Sequence, residues 1–248
     1  MDMALKDHFM EAWDKHFPTC DLPIACFYSD ELGGVDFPDA PKPTAKGFTC
    51  IFTQLSPVKK GEPKAFNKEN LGCFGSFLPF GFETEVSDDV KHYVCNIECV
   101  KKSPAHLESV YQHRPPKKAP GKYLIFKRWD NLTEQDNPQV VFFLGNQDVV
   151  TGLHALANYD AMTPYEVIAP FGTGCDSIVG YPIHELDSEE PKAVLGPLDP
   201  SVRMFFKPDI LTFSVPWPKF LNMVDNMEKS FLATESWSKI KKRFSRVQ

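Results

Sequence analysis

The chain has 248 residues, 42% of them apolar, which suits one large domain or two small ones with a well-buried core and argues against disorder. Phe alone accounts for 21 residues and points to an aromatic-rich core or pocket. With a net charge of −6 and only two clear basic runs, "PPKK" at 115–118 and "KIKKRFSR" near the C-terminus, both read as solvated surface, nucleic acid is excluded as the expected partner.

The N-terminus is broken by Asp2, Lys6 and Asp7, and no apolar signal segment follows. No run approaches the length of a membrane span, and "VVFFLG" is only strand-sized. The expectation is a cytoplasmic protein with no membrane partner. That compartment decides how the seven cysteines are read: Cys20, Cys26, Cys50, Cys73, Cys95, Cys99 and Cys175 are odd in number and scattered. Under reducing conditions they are not a disulfide framework; they are buried thiols, metal ligands or a catalytic thiol.

Leu5, Phe9, Ala12 and Trp13 recur at helical spacing, which predicts a helix over 3–16 ended by Pro18. "LPIACFY" at 22–28 reads as a strand, stopped by Ser29, Asp30 and Gly33-Gly34. A Pro-rich loop, "DFPDAPKPTAKG", leads to "FTCIFTQL", which fits either a strand or a helix. "LGCFGSFLPFGFE" at 71–83 mixes Gly with aromatics and suggests close backbone packing or a ligand wall. "HYVCNIECV" reads as a strand. The Pro/Lys-rich segment 104–121 is either a long surface loop or a joint between halves 1–103 and 122–248 of a single domain spanning 1–248.

"KYLIFKRW" and "QVVFFLG" are two further strands. Asn146 or Asp148 can cap a helix carrying Val149, Val150, Leu153, Leu156 and Ala157. "YEVIAPF", "KAVLGPLD" and "DILTFSVP" read as strands. Phe220, Met223, Val224, Met227 and Phe231 predict an amphipathic helix, and Trp237, Ile240, Phe244 and Val247 a last one. Strands and helices are mixed without a strict βαβ period. The fold class is therefore α+β (mixed α/β), with short strands in a mixed sheet, flanking helices and C-terminal helices.

Chemistry centres on "APFGTGCDSIVGYP" at 169–182. A dinucleotide fingerprint would need a third glycine where Ser177 stands, and the same serine breaks a nucleophile elbow. Cys175 is the candidate nucleophile, because a thiol at a strand-to-turn junction can have a lowered pKa. A base is then required. His154 and His184 are near in sequence, but spacing places neither beside it. Cys95 and Cys99, in "CNIEC", have a spacing seen in zinc sites, yet no second pair follows. A dispersed set of thiolates and simple core filler both remain open.

"APFGTGCDSIV", "KAVLGPLDPSVR", "DILTFSVPWPKFLNMVDNMEKSFL" and "SWSKIKKR" resemble the C-terminal half of the family known as domain of unknown function 169. "LPIACFY", "AKGFTCIF", "LGCFGSF" and "APGKYLIFKRWDNL" with "DNPQVVFF" resemble its N-terminal half. The resemblance supplies no activity, but it selects cysteines. An aromatic-x-C position matches Cys50, a Gly-rich turn matches Cys73, an "SCGI"-like segment matches Cys95 and a "GAGCxS" turn matches Cys175.

The resemblance thus implies four metal ligands, Cys50, Cys73, Cys95 and Cys175, the number a [4Fe–4S] cluster needs, with zinc as second choice. Gly72 and Gly75 around Cys73, and Gly172 and Gly174 around Cys175, would let backbone N–H groups approach the cofactor. Two departures stand out. Phe74 and Phe77 enter the turn after Cys73, and the shortened segment after Cys95 brings in Cys99 as an alternative ligand. The leading expectation is a metal- or iron–sulfur-binding protein. Its rivals are a thiol enzyme using Cys175, and a module binding a small organic or anionic molecule in a Gly/aromatic pocket. The partner expected is accordingly a small molecule or a redox protein; the oligomeric state is not set by the sequence.

Overall fold

The computed structural model describes residues 1–42 and 49–244. In chain order its elements are α1 (Met3–His16), β1 (Ile24–Ser29), α2 (Ile51–Gln54), α3 (Ser56–Lys59), β2 (Lys64–Phe66), α4 (Asp88–His92) and α5 (Pro104–His113). There follow β3 (Tyr123–Arg128), β4 (Val140–Gly145), α6 (Gln147–Ala157), β5 (Val167–Ile168), α7 (Tyr181–Glu185) and β6 (Ala193–Gly196). The last are α8 (Pro200–Arg203), β7 (Leu211–Pro216), α9 (Trp217–Asn226) and α10 (Glu235–Phe244).

The strands form one seven-stranded sheet in the order β2-β3-β1-β4-β7-β6-β5. Every pairing is antiparallel except β5 with β6. The sheet draws strands from both sides of residues 104–121. These are the mixed sheet and flanking helices of an α+β fold.

Side chains alternate across a strand, and the alternation separates two buried faces. Ala25 and Phe27 of β1, Ile125 of β3, Val141 and Phe143 of β4, and Phe213 and Val215 of β7 join one core. Phe9 and Trp13 of α1, Leu153 of α6, Phe220 and Met223 of α9 and Trp237 of α10 cover it. Ile24 and Cys26, Leu124 and Phe126, and Val140 and Phe142 point the other way. They meet Cys50, Ile51, Leu55, Val58, Phe80, Cys175, Ile178 and Val179. A strand buried on both sides reads as an unbroken apolar run, which is the reason for "VVFF".

The first core is a chain of rings. Trp13 stacks on Phe17 at 4.3 Å, and Phe9 lies 4.8 Å from Trp129 and 5.2 Å from Phe220. The helices above it start where the sequence allows. The Asp2 carboxylate accepts the Ala4 N–H at the start of α1. The Asn146 side chain accepts the Val149 N–H and caps α6, which settles the choice between Asn146 and Asp148.

Three segments depart from the sequence reading, one open segment is decided, and Pro104–His113, placed in a loop or joint by the sequence, is α5. "HYVCNIECV" is not a strand: α4 runs into a wide π turn over Tyr93–Ile97. Ser87 accepts the Val90 N–H as N-cap, and Val90 and Cys95 pack on Leu107 of α5, so a helical face rather than β propensity decides the segment. "FTCIFTQL", open in the sequence, is helical over Ile51–Gln54. Of "YEVIAPF" only Val167–Ile168 pairs, along β6. The helix expected through Phe231 stops at Asn226, and Phe231 begins a 3₁₀ turn capped by Ser230. Val247 and the end of the "DFPDAPKPTAKG" loop lie outside the described residues.

Candidate functional site

On the second face of the sheet, three segments far apart in the chain meet around one cavity of about 90 Å³, lined by Cys50, Cys73 and Cys175. Each thiol stands where a helical turn begins: Cys50 before α2, Cys73 before the 3₁₀ turn Phe74–Ser76, Cys175 before the π turn Asp176–Gly180. Backbone N–H groups at such positions lack helical acceptors and point outward. The N–H groups of Phe52 and Thr53 lie near the Cys50 sulfur and those of Gly75 and Ser76 near the Cys73 sulfur, where they favour thiolate, while Thr53 and Ser76 donate to the Cys50 and Cys73 carbonyls at 3.0 and 3.1 Å.

Hydrogen bonds join the segments. The Thr49 N–H donates to the Gly72 carbonyl at 2.8 Å, and the Gly72 N–H to Gln54 Oε1 at 3.0 Å, which locks the Cys50 and Cys73 loops together. The Cys175 turn is held from inside: Asp176 Oδ2 accepts from the Thr173 N–H and hydroxyl, each at 2.9 Å. Asp176 also pairs with Arg114, which arrives from the end of α5 and stacks 4.2 Å from the Tyr181 ring centre. The 104–121 segment therefore supplies an anchor to this turn.

Gly72, Gly172 and Gly174 serve close packing, whereas a Cβ on Gly75 would meet only Cys73 Sγ, at 3.5 Å. None of Gly72, Gly75, Gly172 and Gly174 has a positive φ, so the turn does not need them for left-handed backbone. A Cβ on Gly174 would stand 2.7 Å from the Phe52 ring, and one on Gly72 would stand 2.9 Å from the Thr49 carbonyl. Gly75, Gly172 and Gly174 line the cavity; Gly72 sits behind it.

Cys95 is elsewhere. It is buried with Val90 and Leu107 in a small separate cluster and does not line the cavity, although its neighbours Tyr93 and Val94 do. Cys99 is exposed, at φ 52°. Instead the cavity receives Asp199, the N-cap of α8, which the sequence reading did not single out. "LDPS" carried a usable sign, an Asp before Pro at a helix start, but that sign reports a cap and not a cavity.

Burial pushes the Cys50 thiol up to about 11 against the opposing N–H groups, and the Cys73 and Asp199 charges add to it. Burial raises Cys73 as well, and holds Cys175 well above the ordinary thiol range, with Cys50, Cys73, Asp176 and Asp199 contributing. Burial also raises Asp199, against the N–H bonds from Ser201 and Gly174. Among the described residues, none lining the cavity is His, Lys or Arg, and Asp199 has no ion-pair partner. His154 is exposed on α6, over the opposite face, and His184 lies with Arg114 and Lys117. A buried thiol without a cation or base is a weak nucleophile. Three thiols and two carboxylates, Asp199 and Glu98, without a counter-charge among the described lining residues are instead a donor set suited to a cationic group. Among the described residues, no three His, Cys, Asp or Glu side chains are drawn together so as to hold a single metal ion. The thiols border a space rather than share a point.

Fold and site together define an α+β protein with a thiol-lined cavity on one face of a mixed sheet. The DUF169 family model, described as uncharacterised ArCR, matches residues 21–226, and the chain belongs to that family. No curated protein and no solved structure matches it. Among the described residues, no helix is long and apolar enough to cross a membrane.

Proposed function

We propose that this is a cytoplasmic iron–sulfur protein whose cluster is held in the cavity between Cys50, Cys73 and Cys175. The observation that carries the reading is the meeting of three thiols, from three separate loops, around one largely apolar cavity that also holds the Asp199 and Glu98 carboxylates. Backbone N–H groups near two of the sulfurs favour thiolate once a cation is present. Because the thiols border a space, a polynuclear group suits them better than one zinc ion, which needs every sulfur about 2.3 Å from a single point. When bound, a cluster supplies a one-electron carrier, and the apolar wall of Phe74, Val90 and Val100 would restrict water around it and tune its potential.

The test is metal and sulfide content with a visible spectrum, on protein purified without oxygen and without added metal. The expected result is broad visible absorption with about four iron and four sulfide per chain. Cys50→Ser, Cys73→Ser and Cys175→Ser each abolish or sharply lower it. Colourless protein containing neither iron nor zinc overturns the reading.

A further inference from the structure

We infer that the fourth protein ligand of this site is the carboxylate of Asp199 and not the thiol of Cys95. The inference rests on the cluster reading above and deepens it. Asp199 lines the same cavity as Cys50, Cys73 and Cys175, whereas Cys95 packs with Leu107 behind Val90, a residue of the cavity wall, and Glu98, the other carboxylate of the lining, accepts the Tyr93 hydroxyl. The Asp199 carboxylate is held in place from two sides. Oδ1 accepts the Ser201 N–H at 2.9 Å, and Oδ2 accepts the Gly174 N–H at 3.2 Å. Each oxygen keeps a second lone pair for a cation, and hydrogen bonds of this kind are what orient ligating carboxylates. The Gly174 bond also links the carboxylate to the turn that carries Cys175, so the two groups move as one unit. A partly buried carboxylate set beside Glu98 and three thiols gains from a bound cation. Among the described residues no Lys, Arg or His fills that role. A cluster held by three thiolates and the Asp199 carboxylate would be unequal, with one iron marked out by oxygen ligation and open to exchange with a small molecule entering the cavity.

The test compares anaerobically reconstituted wild-type protein with C95S and D199N, reading iron per chain and the electron paramagnetic resonance spectrum after mild oxidation. Asn retains the cap of α8 but loses the anionic donor. The expected result is full iron content in wild type and C95S, and loss of one iron in four from D199N, with the signal of a three-iron cluster. Mössbauer spectroscopy of the wild-type protein needs no variant and guards against misfolding of D199N. One iron in four with a larger isomer shift supports Asp199, and four equivalent sites overturn it. D199N retaining all its iron overturns this inference while leaving the cluster reading intact, as does a three-iron C95S. Wild-type protein that takes up no iron overturns the cluster reading itself, and this inference with it.

Discussion

The guanidinium of Arg114 pairs with the carboxylate of Asp176, the residue after Cys175, and both groups are almost fully buried. Asp176 in turn accepts the N–H and hydroxyl of Thr173, so one ion pair holds the shape of the whole cysteine turn. Removing one partner of such a pair leaves the other charge desolvated and uncompensated. Arg114→Met is expected to cost about 3 kcal/mol, read as a lower urea midpoint at unchanged slope. Loss below about 0.5 kcal/mol would place the pair among the weak surface contacts.

The second prediction concerns the approach of β6 to the same turn. A Cβ on Gly196 would lie 2.4 Å from Ser177 Cβ and 2.6 Å from its hydroxyl. Ser177 cannot give way easily, because it is buried and its hydroxyl donates to the Gly174 carbonyl at 2.7 Å. Gly196→Ala is expected to destabilise by about 1–3 kcal/mol. Gly75 is the control: a Cβ there meets only Cys73 Sγ, at 3.5 Å, and Gly75→Ala should stay within about 0.5 kcal/mol of wild type. Equal effects from the two substitutions would contradict the packing argument.

Acid sensitivity follows from His16. Burial holds its pKa below 6.5, against the raising effect of its contact with Glu228 and with smaller lowering contributions from Lys15 and Lys241. Its Nδ1 is buried with no partner among the described residues, and its Nε2 lies 3.0 Å from Glu228. The unfolded chain therefore binds the proton more readily than the folded one below pH 6.5. Stability from this group is fully present above that pH and is lost as pH falls through it towards the lower folded value. His184, also lowered first by burial, acts in the same direction. Urea midpoints should fall as pH drops below 6.5, and His16→Gln should flatten that slope. An unchanged slope in the variant would assign the acid sensitivity elsewhere.

Thiol chemistry gives the fourth prediction. Cys99 is exposed, while Cys50 and Cys175 are buried and, with Cys73, have raised pKa values. Alkylation of metal-free protein near neutral pH, followed by peptide mass mapping, should label Cys99 first and Cys175 among the last. Cys175 reacting fastest would revive its reading as a nucleophile.

Much of the fold was legible because it follows local rules. The 3.6-residue spacing of Phe9 and Trp13, the Asn146 cap and the unbroken "VVFF" run each report a neighbour within a few residues or a doubly buried strand. The Tyr93–Ile97 turn was misread because Tyr, Val and Ile favour strands in isolation, and only the Ser87 cap and the Leu107 surface make the segment helical. For the site, the family resemblance pointed to Cys50, Cys73, Cys95 and Cys175, and the structure places three of them around one cavity and Cys95 behind its wall. It did not point to Asp199 or Arg114. Their roles depend on which loops the sheet brings into contact, and no spacing along the chain encodes that.

Cys50 and Cys73 precede β3, whereas Cys175 follows β5, and β4 and β7 lie between the strands on which the two groups are built. The cavity is thus complete only when the sheet has closed along its length. A nascent or partly denatured chain offers two thiols from one side and none from the other. Occupancy of the site by the proposed cluster would then act as an inspection mark: a chain that retained it would have finished folding, and a chain that could not would be distinguishable from a finished one without any further sensor.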